Sequence, residues 1–259
     1  MEHAFALGVM VGGLFAGILA LLEIGRRIGI WRRRRGAKET EAAYGVVDGA
    51  VFALLGLIIA FTFSGAGARF DVRRQLMGQE ANAIGTAYLR LDLLPSATQP
   101  ELREDFRSYA DARIAMYRGL TADPSTATAE QQRSGALQRK IWAEAIAACR
   151  QAESVATTSL VIQSLNEMID MSTTQTVALM THPPAVIYWT LLLLVLAGAL
   201  LAGLGMGESK KPEWIHIMVF SAIMAVAVYV IFDLEYPRLG LIRVDAADQL
   251  LIDVRKAMG

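Results

Sequence analysis

The stretch Leu57–Arg74 reads LIIAFTFSGAGARFDVRR. It begins as lipid-soluble helix and ends as a charged, water-seeking segment, and no proline divides the two halves. A chain that passes from lipid to water in this way puts one helix into two solvents. The junction, around Phe61–Gly67, is the first place to look for function.

The surrounding composition fits that reading. The chain has 259 residues, of which 54% are hydrophobic and 19% charged. That is too apolar for an ordinary soluble domain and too charged for one buried wholly in lipid. Apolar runs of roughly 20 residues, enough to span a bilayer, occur at about Phe5–Leu22, Val46–Ser64, Ala185–Gly205 and Trp214–Leu234. Each is helical, because backbone exposed to lipid must satisfy its own hydrogen bonds. The fold class is therefore an all-α integral membrane protein with four transmembrane helices. A long-helix extramembrane bundle lies between the second and third. Residues 1–64 hold helices one and two with a basic cytoplasmic loop at 24–44. Residues 65–184 form the helical insert, 185–235 helices three and four, and 236–259 an amphipathic tail.

The first run is not a cleavable signal, since the positive charges follow its apolar core instead of preceding it. Arg26, Arg27, Arg32 to Arg35 and Lys38 crowd one short loop, and Lys210 and Lys211 the other, GESKKPE. Short loops rich in Lys and Arg stay in the cytoplasm. The N-terminus, the insert and the tail are then outside. Arginines in the insert do not reverse this, because long domains cross largely regardless of charge. The basic loop serves as a topology signal or rests on anionic headgroups. Net charge is zero, so nothing points to nucleic acid.

Within the insert, helix two continues as one rod toward Pro95, weakened by Gly65, Gly67, Gly78 and Gly85. Thr98 and Glu101 read as a capping box opening a helix through Leu120, with Phe106, Ala110, Ile114 and Tyr117 on one face. Ala122–Thr128 reads as a turn. A further helix is expected from about Ala129 to Thr181, on a seam of Leu137, Ile141, Ala145, Ala148, Ala152, Val155, Ile162 and Ile169. Pro183 and Pro184 end it. The tail, with Leu241, Ile242, Leu250, Leu251 and Val254 among charges, is expected to dock on the insert.

Catalytic signatures are missing. His3, His182 and His216 are scattered, the single Cys149 has no ligand cluster around it, and no phosphate loop or nucleophile elbow is present. The expectation is a protein that is not an enzyme, with no cofactor and no metal. Cys149 reads as a small packing residue.

Polar groups in membrane helices are costly and informative. Asp48, Asp233 and Glu235 are candidate ion or salt-bridge sites, with interfacial placement the alternative. On helix two, Phe52, Leu55, Ile59 and Phe63 share a face. Several copies around an axis would give an apolar constriction at Phe61, Thr62, Phe63 and Ser64 that gates by dewetting. Arg69, Arg73 and Arg74 would form a charged vestibule beyond it. The alternative is an apolar face that packs in the membrane, with arginines that anchor to headgroups. Gly8–Gly12 and Gly13–Gly17 have the Gly-x-x-x-Gly spacing that lets helix backbones touch in lipid.

Three segments together resemble the bacterial bestrophin-like membrane family. They are Phe52–Pro95 (with EANAIGTAYLR at Glu80–Arg90), the Pro-Pro break before helix three, and FDLEYPRLGLIRVD at Phe232–Asp245. The resemblance covers nearly everything after about Tyr44. Bestrophins proper are pentameric anion channels with a helical domain between two pairs of membrane helices and a pore lined by helix two. It implies a homo-oligomer, expected to be a pentamer, passing small inorganic ions in the inner membrane of a bacterium. Two features depart from bestrophins: their domain is cytoplasmic, whereas the basic loop here puts it outside, and no acidic calcium clasp is present. The competing reading is a membrane sensor or scaffold with a periplasmic helical domain and no transport activity.

Overall fold

A computed structural model describes residues 2–35, 41–151, 154–207, 214–238, 240–242 and 245–259. Lys38, Ala152, Lys210 and Lys211 lie outside the described residues. The helices are α1 (Glu2–Arg34), α2 (Glu41–Arg90), α3 (Gln99–Ala122), α4 (Pro124–Cys149), α5 (Val155–Met180), α6 (Ala185–Met206), α7 (Trp214–Glu235) and α8 (Asp245–Ala257). A 3-10 turn at Leu91–Leu93 follows α2, and no strand occurs among the described residues. Stretches long and apolar enough to cross a membrane lie in Gly8–Arg34, Gly45–Leu93, Val155–Met206 and Trp214–Glu235. The fold is thus all-helical with four candidate membrane spans.

The chain forms two units. The apolar unit comprises residues 1–68 and 182–240, and the polar unit 69–181 and 241–259.

In the apolar unit the main contact joins α1 to α6, and glycine makes it. A Cβ built on Gly25 would overlap the carbonyl oxygen of Leu200, and one on Gly203 the carbonyl oxygen of Leu22. One on Gly29 would lie 2.5 Å from the Leu204 carbonyl oxygen, and one on Gly207 2.8 Å from Gly29 Cα. Residue numbers rise together along the contact, so the two helices run parallel. Lipid offers no hydrophobic driving force for helix association, and close backbone approach supplies dispersion contacts instead. The Gly8–Gly12 pair does not take part, because nothing lies within 4 Å of a Cβ at Gly8, Gly12 or Gly13. Gly17 meets only the Leu196 side chain, at 3.7 Å.

α1 is also longer than the apolar run. It continues through Arg34, so the first half of the expected 24–44 loop is helix. Glu23 bonds Arg26 Nε at 2.8 Å and Arg27 Nε at 2.7 Å, three and four residues on. Such pairs, and cations at a helix C-terminus, favour continuation. Ile24, Ile28 and Trp31 remain exposed on the outer face, with Arg35 stacked 4.1 Å over the Trp31 ring.

In the polar unit the outer part of α2 joins α3, α4 and α5 as antiparallel neighbours, with α8 added. Its core includes Ile84, Leu91, Phe106, Ile141, Leu165 and Met168. Two local expectations are corrected. The turn at Ala122–Thr128 shrinks to Asp123, whose carboxylate accepts the Ser125 N–H at 3.0 Å while Pro124 opens α4. The Thr126 hydroxyl, and then that of Ser125, lower the pKa of that exposed carboxyl to about 2, below its ordinary value. The expected helix over 129–181 is two helices, broken after Cys149, with Ser154 capping α5. α5 folds back on α4, so Val155 is 86% exposed and Val161, Leu165 and Met168 supply the buried face.

The capping box also fails. Thr98 precedes α3 but donates to the Pro95 carbonyl at 2.8 Å, with its backbone already helical. Glu101 turns toward Lys140 Nζ, 3.5 Å away. Cys149 is a buried free thiol, pushed up by burial.

α8 docks on the polar unit. The Tyr88 hydroxyl donates to the Met258 carbonyl at 2.8 Å, Arg255 bonds Asp111 at 2.9 Å, and Leu251 is buried. Residues before α6 and after α7 thus share one unit, which two membrane crossings between them allow.

The glycine contact generates a sharp contrast. Gly203→Leu should cost about 3 kcal/mol or more, since its side chain meets backbone that cannot yield. Gly12→Leu should change stability by less than about 0.5 kcal/mol. Thermal unfolding of the monomer in detergent checks both.

Candidate functional site

The apolar half of α2 presents two faces. One turns inward: Leu55 is 2% exposed, and Phe52 and Leu55 pack where a Cβ on Gly198 would sit. Ile59 joins the same core. The other face is open. Gly45, Gly49, Ala53, Gly56 and Ala60 are all exposed at spacings of three and four residues, and a Cβ on Gly45, Gly49, Gly56 or Gly67 would meet nothing within 4 Å. Helical register continues this row of small residues onto Phe63, then Gly67. Phe63, at 49% exposed, is the bulky side chain on the row, and Ser64 is exposed beside it.

The structure separates the residues singled out from sequence. Phe61, 66% exposed, stands to one side of the row. Thr62 returns its hydroxyl to the Ile58 carbonyl at 2.7 Å, which satisfies it within the helix. Phe52, Leu55 and Ile59, expected to share a pore face with Phe63, turn into the core of the unit instead.

In the polar unit Arg74 is exposed, Arg69 is half-buried, and Arg73 is buried. Arg73 donates to the carbonyls of Ala178 at 3.1 Å and Thr181 at 2.9 Å, at the C-terminal end of α5. A cation there complements the negative end of a helix dipole. Its place is structural, and the sequence offered no sign of a partner more than 100 residues away.

Asp48 is partly exposed on α2. Asp233 and Glu235 are buried at the end of α7. Glu235 Oε1 lies 2.9 Å from His182 Nδ1, whose ring stacks on Tyr236 at 4.7 Å. The Asp233 carboxylate fills the space a Cβ on Gly240 would need.

Sequence reasoning missed a buried polar network in the polar unit. Arg113 and Glu80 are both fully buried, and Arg113 Nε donates to Glu80 Oε1 at 2.6 Å. Tyr117 donates to the other Glu80 oxygen and accepts from Arg113 Nη2 at 3.0 Å. Arg113 Nη1 donates to Gln131 at 2.8 Å, and nearby Gln138 donates to Tyr109 at 3.0 Å and Ser172 at 2.7 Å. Burial, then the adjacent carboxylate, pushes the Tyr117 phenol well above its ordinary value, and burial pushes Tyr109 up to about 12. The signal was at hand: Glu80 opens EANAIGTAYLR. Within that stretch Tyr88 holds Met258 and Arg90 donates to the Leu160 carbonyl at 2.7 Å. Its polar residues hold the polar unit together. Among the described residues no group of three His, Cys, Asp or Glu side chains is placed to hold a metal ion.

Four apolar spans and a polar helical unit built around a buried Arg–Glu pair define an all-helical membrane protein. The Bestrophin-like domain family matches residues 12–248, and the chain belongs to that family. Among solved structures, a single-substitution variant of a bacterial bestrophin homologue from Klebsiella pneumoniae is similar, with a TM-score of 0.70 and 18% identity. The match covers 94% of this chain and 98% of that one. The same homologue solved by zinc phasing gives a TM-score of 0.66 at 18% identity, over 92% and 97% of the two chains. At that identity the likeness speaks for the fold. No curated protein matches the sequence.

Arg113→Met should destabilise the fold by about 3–5 kcal/mol, because Glu80 would stay buried without its counter-charge. Adding Glu80→Gln should recover a good part of the loss. Unfolding in detergent followed by circular dichroism distinguishes this from a wet, dispensable pair, for which Arg113→Met would cost under about 1 kcal/mol.

Proposed function

We infer that the chain assembles with copies of itself, as a pentamer, and conducts small inorganic ions passively along the axis faced by α2. The observation that carries this is the open row Gly45–Gly67. Small residues there leave room for an axis, and one aromatic ring, Phe63, interrupts them. A ring of Phe63 side chains with Ser64 beside it is the narrowest point in this reading, and apolar constrictions of that kind gate by dewetting. Phe61 and Thr62 flank the constriction, Phe61 against lipid or a neighbouring copy. Arg69 and Arg74 supply a positive vestibule, which Arg73 supports from its buried place. Asp48, on the arginine-rich side of α2, and the Asp233–Glu235 end of α7 serve as salt-bridge sites. The reading involves no enzymatic chemistry and no nucleic acid.

The assembly belongs in a bacterial inner membrane, with the polar unit outside. The seven Lys and Arg of 24–44 support that orientation.

Purified protein in a planar bilayer under a salt gradient tests the function. Discrete openings are expected, with a reversal potential that favours anions. Phe63→Ala should raise conductance or open probability severalfold, and Arg74→Glu should move the reversal potential toward cations. Silence at confirmed incorporation, across pH, calcium and voltage, would instead favour a scaffold or sensor. For orientation, Val155→Cys in a Cys149→Ser background should react with an impermeant maleimide added to spheroplasts. Labelling only after lysis would reverse the topology.

A further inference from the structure

Away from α2, the hairpin of α3 and α4 holds a carboxylate pair that the permeation reading does not use. Lys140 Nζ donates to Asp105 Oδ1 at 2.9 Å and lies 3.4 Å from Glu144 Oε1 and 3.5 Å from Glu101 Oε1. One ammonium serves three carboxylates. Asp105 is only 7% exposed, and Glu144 is partly buried against it. Each carboxylate also has a second oxygen inside the protein. Asp105 Oδ2 and Glu144 Oε2 are both buried and both without a hydrogen-bond partner. Two orphaned oxygens on carboxyls of neighbouring helices that share one ammonium call for one explanation.

We propose that Asp105 and Glu144 share a single proton across the α3–α4 hairpin, forming a proton-binding site that clamps the hairpin when occupied and loosens it when empty. A hydroxyl at Glu144 Oε2 donates to Asp105 Oδ2, so one proton satisfies both oxygens. The pair then carries one negative charge, which Lys140 balances. Loss of the proton leaves two carboxylates in contact, and like charges so placed cannot both ionise cheaply. The charged groups that face the pair are Lys140 from α4 and Glu101 from α3. A metal ion is the other occupant the oxygens would suit, but the Lys140 ammonium already bonds the same carboxylates and opposes a second cation.

The direction in pH follows. Burial first, and then the Asp105 charge, push the Glu144 carboxyl up from its ordinary value. The folded chain therefore keeps this proton at pH values where the unfolded chain has released it. The stabilisation is fully present below the ordinary Glu range and is lost as pH rises through the raised value.

Infrared difference spectroscopy on the full-length protein in detergent tests the site, by reading the C=O stretch of a buried carboxylic acid between about pH 4 and 8. The wild type should retain such a band above the pH at which exposed carboxylates have ionised. Glu144→Gln should abolish it, and its melting temperature should fall less with rising pH than that of the wild type. Lys140→Met removes the counter-charge and should carry the band to higher pH. A wild type without the band, a band unchanged in Glu144→Gln, or a band erased by calcium at constant pH would each overturn the proposal.

Discussion

Taking the Arg113 guanidinium out of water is tolerable only because Glu80 meets it inside, and that requirement organises the polar unit. A buried charge without its partner is among the costliest defects a fold can carry. The pair therefore fixes α3 against α2 at one register, with no freedom to slide by a turn. Tyr117 and Gln131 use the remaining hydrogen-bonding capacity and draw α4 into the same arrangement. Gln131 reaches on to Thr176 of α5 at 3.4 Å. Apolar packing around this centre adds stability, but four similar amphipathic helices could pack in several registers. The network chooses one.

The apolar unit solves a different problem. Side chains as greasy as the lipid gain little from leaving it, so shape has to do what hydrophobicity does in water. Gly25, Gly29, Gly203 and Gly207 let two backbones touch, and the contact extends the first span past its apolar run to the arginines. Glu23 then sits where a lone carboxylate would be expensive, between Arg26 and Arg27, and the three settle their charges locally. The open row on α2 is the converse case. Its glycines would leave an added Cβ with nothing within 4 Å, and its alanines are exposed.

Much of this was legible in the residues, and the failures are instructive. Apolar run length and the order of polar and apolar segments suffice for four spans and a helical insert, because lipid thickness and backbone hydrogen bonding leave few alternatives. The family was legible only through the particular residues of segments such as Glu80–Arg90 and Phe232–Asp245. Gly8–Gly12 and Gly25–Gly29 carry the same motif, yet only the second packs in the unit. The spacing says that a close approach is permitted, and the neighbour decides whether it occurs. The break after Cys149 was hidden because the small-residue seam runs on unchanged in period through Val155, which the fold leaves bare. Arg73 looked like a vestibule charge because the carbonyls it serves belong to α5. Glu80 lay in plain view within the most specific motif, but only its distant partner explains it. At the candidate site, Phe63 and Ser64 keep an open position, whereas Thr62 and Arg73 are occupied by backbone. Hydrogen bonding to backbone carbonyls leaves no mark on composition or period.

The polar unit also imposes an order on synthesis. Tyr88 bonds Met258, a partner 170 residues further along the chain. α6 and α7 are made between the two. The insert emerges from the ribosome first, yet α8 is available to cover α3 only after both later spans have been delivered to the bilayer. Until then the surface that receives Leu251 and Met258 stays bare, on a half-built bundle waiting at the membrane. Closure of the polar unit therefore reports that insertion of the last two spans has succeeded, and a chain that stalls there exposes apolar surface of the kind that quality-control proteases recognise.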